Sequence, residues 1–235
     1  LHGNSLSHAM EQALLRDLAG MRPGSITAAM EMFDSDVQLV MDEYLAGLIP
    51  THRFVHEARA WPGYERNYEP IVELCRKHSI QLIATNAPHR YASAVFLGGL
   101  DALHLFPLEA RRYFAPLPIL YDANLKTYRE ISAGMSPKTG SMHRSGKLVD
   151  AQVLRDATMA HFILKHAERG KLVLHFNGAY HSAYREGIVW FLHRERGDLR
   201  TKVITTVIQE RTGSLDAQHF SKGDYLVIAP PAPPP

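Results

Sequence analysis

Cysteine is nearly missing from this chain. Its 235 residues include one, Cys75, so no intrachain disulfide can form and no thiolate-built zinc site is available. No stretch reaches the roughly 18 consecutive apolar residues of a transmembrane helix. Charge of one sign is not in excess: Lys and Arg number 26 against 24 Asp and Glu, a net +2. With no basic block, nucleic acid is not an expected partner. Gly-x-Gly-x-x-Gly and Walker-type phosphate cradles are absent, and so is the Gly-x-Ser-x-Gly elbow of α/β serine hydrolases.

What is present reads as an ordinary globular balance, 46% hydrophobic and 21% charged, and the length is ample for a real core. Cys75 sits among Ile71, Val72 and Leu74 and reads as a small buried hydrophobe. The unusual count is histidine, 14 residues, which raises the odds of a metal, haem or acid–base site. The chain opens at Leu1, His2 and Gly3 with no initiator Met and reads as a trimmed start. Residues 230–235 are Pro-rich and are expected as an extended tail, leaving a single domain over residues 1–229.

Periodicity predicts helix over 7–19, capped by Ser7 and stopped by Gly20, then a strand over 26–33 and a helix over 36–47 with an N-cap among Asp34, Ser35 and Asp36. Residues 51–66 read as loop. Helix 68–78, with Pro70 in its first turn, leads to strand 80–85 and helix 90–98. From 100 to 150 prolines and glycines blur the pattern, and 132–147 reads as an exposed loop, either a lid or partner-binding element or plain surface. Helix 150–169, strand 171–176, helix 185–196 and strands 203–208 and 225–229 complete the chain. Alternating strands and helices predict an α/β fold with a mostly parallel sheet and helices on both faces.

The most informative stretch is Leu-His-Phe-Asn-Gly-Ala-Tyr-His at 174–181. It reads as a buried strand running into a Gly-x-x-His turn, and open α/β sheets bind ligands beyond the carboxyl ends of their strands. Two chemistries are open there. His2, His8, Glu11 and His181 form an imidazole and carboxylate set suited to a first-row divalent metal. His8 and Glu11, three apart, share a helix face. The 10 tyrosines offer phenolate oxygens, which suit ferric haem iron. The bland reading of Gly178 and His181 is an ordinary capped turn.

Several separated segments together resemble the ChaN-like haem-binding lipoprotein family of the Tiki superfamily, which shares its fold with erythromycin esterase. The start at 1–4 resembles the end of a Gly-Glu-x-His motif, with His8 and Glu11 in the His- and Gln-rich stretch after it. Met-Glu-Met-Phe at 30–33 resembles the family's second strand, and Trp61 and Tyr64 followed by Tyr68 and Pro70 resemble its Trp-x-x-Tyr and Tyr-x-Pro segment. Asn86, Pro88 and Arg90 match an Asn-x-Pro-x-Arg turn. Gln152, Asp156, Met159 and Ala160 match a Gln-x-x-x-Asp-x-x-Met-Ala helix, and Gly178 and His181 match the C-terminal Gly-x-x-His. The likeness runs over about residues 1–210.

The resemblance implies an erythromycin esterase/ChaN-like α/β fold and haem binding in bacterial iron acquisition. It further implies a lipoprotein of the outer membrane or periplasm, whose lipobox cysteine would lie upstream of Leu1. Haem would be Tyr-ligated across a homodimer, with an outer-membrane haem receptor as a further partner. Carried over as cofactor-binding residues are His8, Asn86, Arg90 and His181, with Tyr180, Tyr128 and Tyr121 as candidate iron ligands. The alternative from the same superfamily is a metal-dependent peptidase or esterase. There His2 and His181 would hold a divalent metal or act as base, with Glu11 or Glu31 assisting, and the metal would turn a bound water into the nucleophile.

Overall fold

Nine residues, Ile-Thr-Ala-Ala-Met-Glu-Met-Phe-Asp, form the central strand β1 (Ile26–Asp34), which is buried along almost its whole length. Near-continuous burial is what a strand covered on both faces by helices requires. In the computed structural model, which describes residues 3–133 and 142–231, β1 is flanked in parallel by β2 (Gln81–Asn86) and β3 (Leu172–Phe176), in the order β2-β1-β3. Met30 aligns with Ala84 on one side and Phe176 on the other. Asn86, Asp34 and the residues after Phe176 therefore share one edge, at the carboxyl ends of the strands. The last two expected strands, β4 (Ile204–Ile208) and β5 (Tyr225–Ala229), pair in parallel as a separate two-stranded sheet.

One face of the three-stranded sheet is covered by α1 (Ser5–Met21) and α5 (Glu69–Lys77), with Leu15, Ile71, Val72 and Cys75 packed on Ala28, Met30, Met32 and Leu82. α2 (Gln38–Leu45) and α3 (Thr51–Glu57) extend that core through Tyr44 stacked on Phe54 at 4.3 Å. The other face carries α8 (Met142–His166), which packs against α6 (His89–Gly98), α7 (Lys126–Ala133) and α9 (Ile188–Glu195). The α/β class is as expected from the alternation of elements.

Boundaries differ in instructive ways. Asn4, not Ser7, caps α1: its Oδ1 accepts from the Ser7 amide at 2.9 Å, and the helix runs through Gly20 to Met21. The expected loop over 51–66 contains α3 and the short α4 (Tyr64–Asn67), because Gly63 at φ 79 reverses the chain after Trp61 and Pro62 and lets a new turn start. The expected loop over 132–147 is narrowed from both sides by α7 and α8; residues 134–141 fall outside the described residues. So do His2 and positions 232–235 of the expected tail.

Between the turn after β3 and α9 the chain passes Tyr184 and Arg185, both at φ 61, and Gly187 at φ 54. A Cβ at Gly187 would lie 2.5 Å from the His181 carbonyl oxygen and 3.0 Å from Asp156 Oδ2. Gly187→Ala is therefore expected to destabilise by about 2 kcal/mol or more, since positive φ and a backbone clash act together. Urea denaturation measures it; an unchanged midpoint would show that the segment relaxes freely.

Candidate ligand site at the sheet edge

Glu31 lies within β1 and, unlike Asp34 at the strand's half-buried end, is buried. A carboxylate there must be met by hydrogen-bond donors. Its Oε2 accepts from the Gly178 amide at 2.6 Å, and its Oε1 lies 3.2 Å from His181 Nε2. One side chain thus holds both ends of the Gly-x-x-His turn, a single 3-10 turn over Ala179–His181 closed by the His181 amide donating to the Gly178 carbonyl at 2.9 Å. Asn177 Nδ2 adds donations to the Gly178 carbonyl at 2.9 Å and to Ser182 Oγ at 3.0 Å.

On its other side His181 Nδ1 lies 2.5 Å from Asp156 Oδ1, and the Gln152 side-chain amide is 2.9 Å from the same nitrogen. Asp156 accepts at Oδ2 from the Tyr128 hydroxyl at 2.9 Å. Burial by itself would push His181 down; Glu31 and Asp156 outweigh it and hold the imidazolium up to about 10. Asp156 is raised from the ordinary carboxylate value, burial outweighing the help it receives from His181 and Tyr128. Both ring nitrogens of His181 thus face carboxylate oxygens of the protein itself, at 3.2 and 2.5 Å. Among the described residues no group of three or more His, Cys, Asp or Glu is arranged to hold a metal ion.

The three candidate tyrosines fall in three environments. Tyr128 is 1% exposed, and burial followed by the Asp156 charge pushes its phenol upward; it is a core residue with its hydroxyl engaged, which removes it as a surface ligand. Tyr121 is half-buried, bonds Asp150 Oδ1 at 3.0 Å and is pushed up to about 12 by burial and then Asp150. Tyr180 is 65% exposed, although its neighbour His181 in the same turn is buried.

His8 Nδ1 lies 2.9 Å from Glu11 Oε2, and the His8 ring meets Tyr68 edge-on at 5.3 Å. Tyr68 is pushed up to about 12 by burial and then by Glu11 and Glu31, so the α1 pair and Glu31 converge around it. At the far side of the same edge, Arg90 bonds Asp36 and the Tyr91 hydroxyl, while its side chain stays half exposed. Asn86 is buried, and its Oδ1 has no hydrogen-bond partner among the described residues. A recess of about 230 Å³ lies at the opposite, amino edge of the sheet, lined by Gly24, Thr27, His78, Gln81 and Lys171 among others, away from these groups.

Sequence reasoning named His181, Glu31, His8, Glu11, Asn86 and Arg90 but gave no site role to Asp156, Gln152 or Tyr68. The spacing held a usable signal: Gln152 and Asp156 are four apart, so both project from one face of α8. Tyr68, noted only for the Tyr-x-Pro likeness, precedes Glu69 and Pro70 at the start of α5, where a buried tyrosine at a helix entry shows no periodicity of its own.

A parallel sheet covered by helices on both faces, with polar groups gathered at its carboxyl edge, defines an open α/β protein, a class whose ligands bind at that edge. A family model described as haem-binding uptake, Tiki superfamily, ChaN matches residues 1–192. The chain belongs to that family. A solved structure described as cofacial heme binding to ChaN of Campylobacter jejuni shares the fold, with a TM-score of 0.69 at 17% identity over 96% of this chain and 83% of that chain. A search of curated proteins finds no match.

The buried bridge predicts a pH dependence. His181 has a folded-state value raised from 6.5 to about 10, so its contribution is complete below the unfolded value and is lost as pH rises through the folded one. Unfolding free energy is expected to fall between pH 6.5 and about 10, and His181→Gln to flatten that slope. Asp156→Ala, which strips one carboxylate from a buried imidazolium, is expected to cost about 3–5 kcal/mol. Urea titrations across pH check both; a wild-type profile flat over that window would refute the charged bridge.

Proposed function

We propose that this protein binds haem, with the Tyr180 phenolate as the iron ligand. The observation that carries the reading is the placement of Tyr180: of the three candidate tyrosines it has the exposed side chain, at the ligand edge of the sheet. A phenolate oxygen suits ferric iron, and haem, when bound, supplies that iron together with two carboxylates. The residues present fit such a group. Arg90 keeps guanidinium N–H groups beyond those used on Asp36 and Tyr91, and these can donate to a carboxylate. His181 is committed to Glu31 and Asp156 and would not touch the iron.

Membership in the haem-binding uptake family supports the same reading. A ligand held by an exposed phenol would leave one face of a flat macrocycle open to water. A second loaded copy of the chain could cover that face, which fits a homodimer with stacked rings like the cofacial arrangement described for the Campylobacter jejuni protein. The biological setting we propose is iron acquisition by a lipoprotein of the bacterial outer membrane or periplasm, passing haem to or from an outer-membrane receptor.

Haemin titration followed by visible absorption, with size exclusion alongside, tests the reading. A saturable Soret shift with a high-spin ferric charge-transfer band, and haem-linked dimerisation, is the expected result. Tyr180→Phe is expected to lose that band while melting as wild type does. Unsaturable binding would overturn haem binding, and an unchanged spectrum in Tyr180→Phe would overturn the assignment of the ligand.

A further inference from the structure

We propose that the Glu31–His181–Asp156 bridge is a positioning device for Tyr180, so that Glu31, His181 and Asp156 set the geometry at which the phenol meets iron. The inference rests on the haem reading above and concerns how that site is built. Glu31 grips the turn at its first and last residues through two different oxygens, one on the Gly178 amide and one on His181 Nε2. Tyr180 lies inside that closed span. Consecutive residues of a 3-10 turn point about 120° apart. Drawing His181 inward therefore sends Tyr180 outward, matching their opposite burial.

The grip is itself held. Asp156 fixes the far side of the imidazole at 2.5 Å, and Tyr128 fixes Asp156 at 2.9 Å. Behind the turn, Gly187 packs so closely that a Cβ would meet the His181 carbonyl oxygen at 2.5 Å. β1, α7, α8 and the start of α9 therefore converge on one exposed side chain. A tyrosine on an unsupported loop would spend ordering entropy on binding; one held in place beforehand does not. None of the three bridge residues is placed on the ligand itself, so their effect on it must pass through the turn.

The test uses haemin and the variants His181→Gln, Asp156→Asn, Glu31→Gln and Tyr180→Phe, with three readouts. Amide hydrogen exchange of the ligand-free protein reports the turn. Haemin affinity reports preorganisation. The ferric charge-transfer band and the rhombicity of the high-spin electron paramagnetic resonance signal report the iron–phenolate geometry. In bridge variants that melt cooperatively, exchange at 178–182 is expected to rise, affinity to fall by about tenfold or more, and the band and rhombicity to shift. Asp156→Asn preserves side-chain shape and serves if His181→Gln does not fold. Folded bridge variants with wild-type affinity, band and rhombicity would overturn the positioning role while leaving Tyr180 as ligand. An unchanged spectrum in Tyr180→Phe would instead overturn the reading beneath it, whatever the bridge variants do.

Discussion

A buried imidazolium between two buried carboxylates is the constraint on which the ligand edge depends. At about 3 Å and an effective dielectric near 20, each attraction in the Glu31–His181–Asp156 bridge is worth about 5 kcal/mol. Taking each ion out of water costs several kcal/mol. The two contributions nearly cancel, so the bridge contributes little net stability for so many charges. What it does contribute is geometry. The central strand, the turn after β3 and the middle of α8 can meet in one way that leaves no buried charge unpaired.

His175 shows how far partners, rather than burial, decide the outcome. It lies six residues before His181 and is half-buried, and burial pushes it down to about 4. Its ring nitrogens face Thr85 Oγ1 and Asn177 Oδ1, both neutral, at 2.9 Å each. His181 faces two carboxylates and goes the other way. The same side chain is therefore a neutral cross-strand spacer at one place and a cationic latch at the other. Thr85 donates its hydroxyl hydrogen to the Met30 carbonyl, which carries the polar network of β2 and β3 across the central strand.

Much of the frame was legible from pattern. The apolar run of β1, the strand ending in Gly-x-x-His and the amphipathic α8 each declare themselves through periodicity and breakers. The separation of β4 and β5 into their own sheet was not legible, since strand pairing depends on long-range contacts that local pattern does not encode. Nor was the state of His181. A histidine at a strand end reads as a ligand to something, and only the placement of Glu31 and Asp156 shows that its partners belong to the protein itself. The tyrosines make the same point. Tyr121, Tyr128 and Tyr180 are chemically alike in sequence, but one bonds Asp150, one is sealed against Asp156 and one stands in solvent. Asp156 was marked by the Gln-x-x-x-Asp-x-x-Met-Ala likeness but received no role, because its partner His181 comes from a distant turn.

The backbone beyond the turn packs against the same bridge. The His181 carbonyl and Asp156 lie close against Gly187, and the chain folds back sharply to reach α9. It does so through Tyr184 and Arg185 in the left-handed region and then Gly187. Such conformations cost about 1 kcal/mol or more each for residues with side chains. They are sustained by contacts around them: the Tyr184 amide donates to the Lys222 carbonyl, the Lys126 ammonium sits 3.9 Å from the centre of the Tyr184 ring, and Arg185 bonds Asp224 at 2.5 Å. Through these anchors the segment before β5 and the start of α7 are fastened to the turn. The contacts that offset the strain at 184–187 thus continue, on the outer side of the turn, the anchoring that the buried bridge supplies from within.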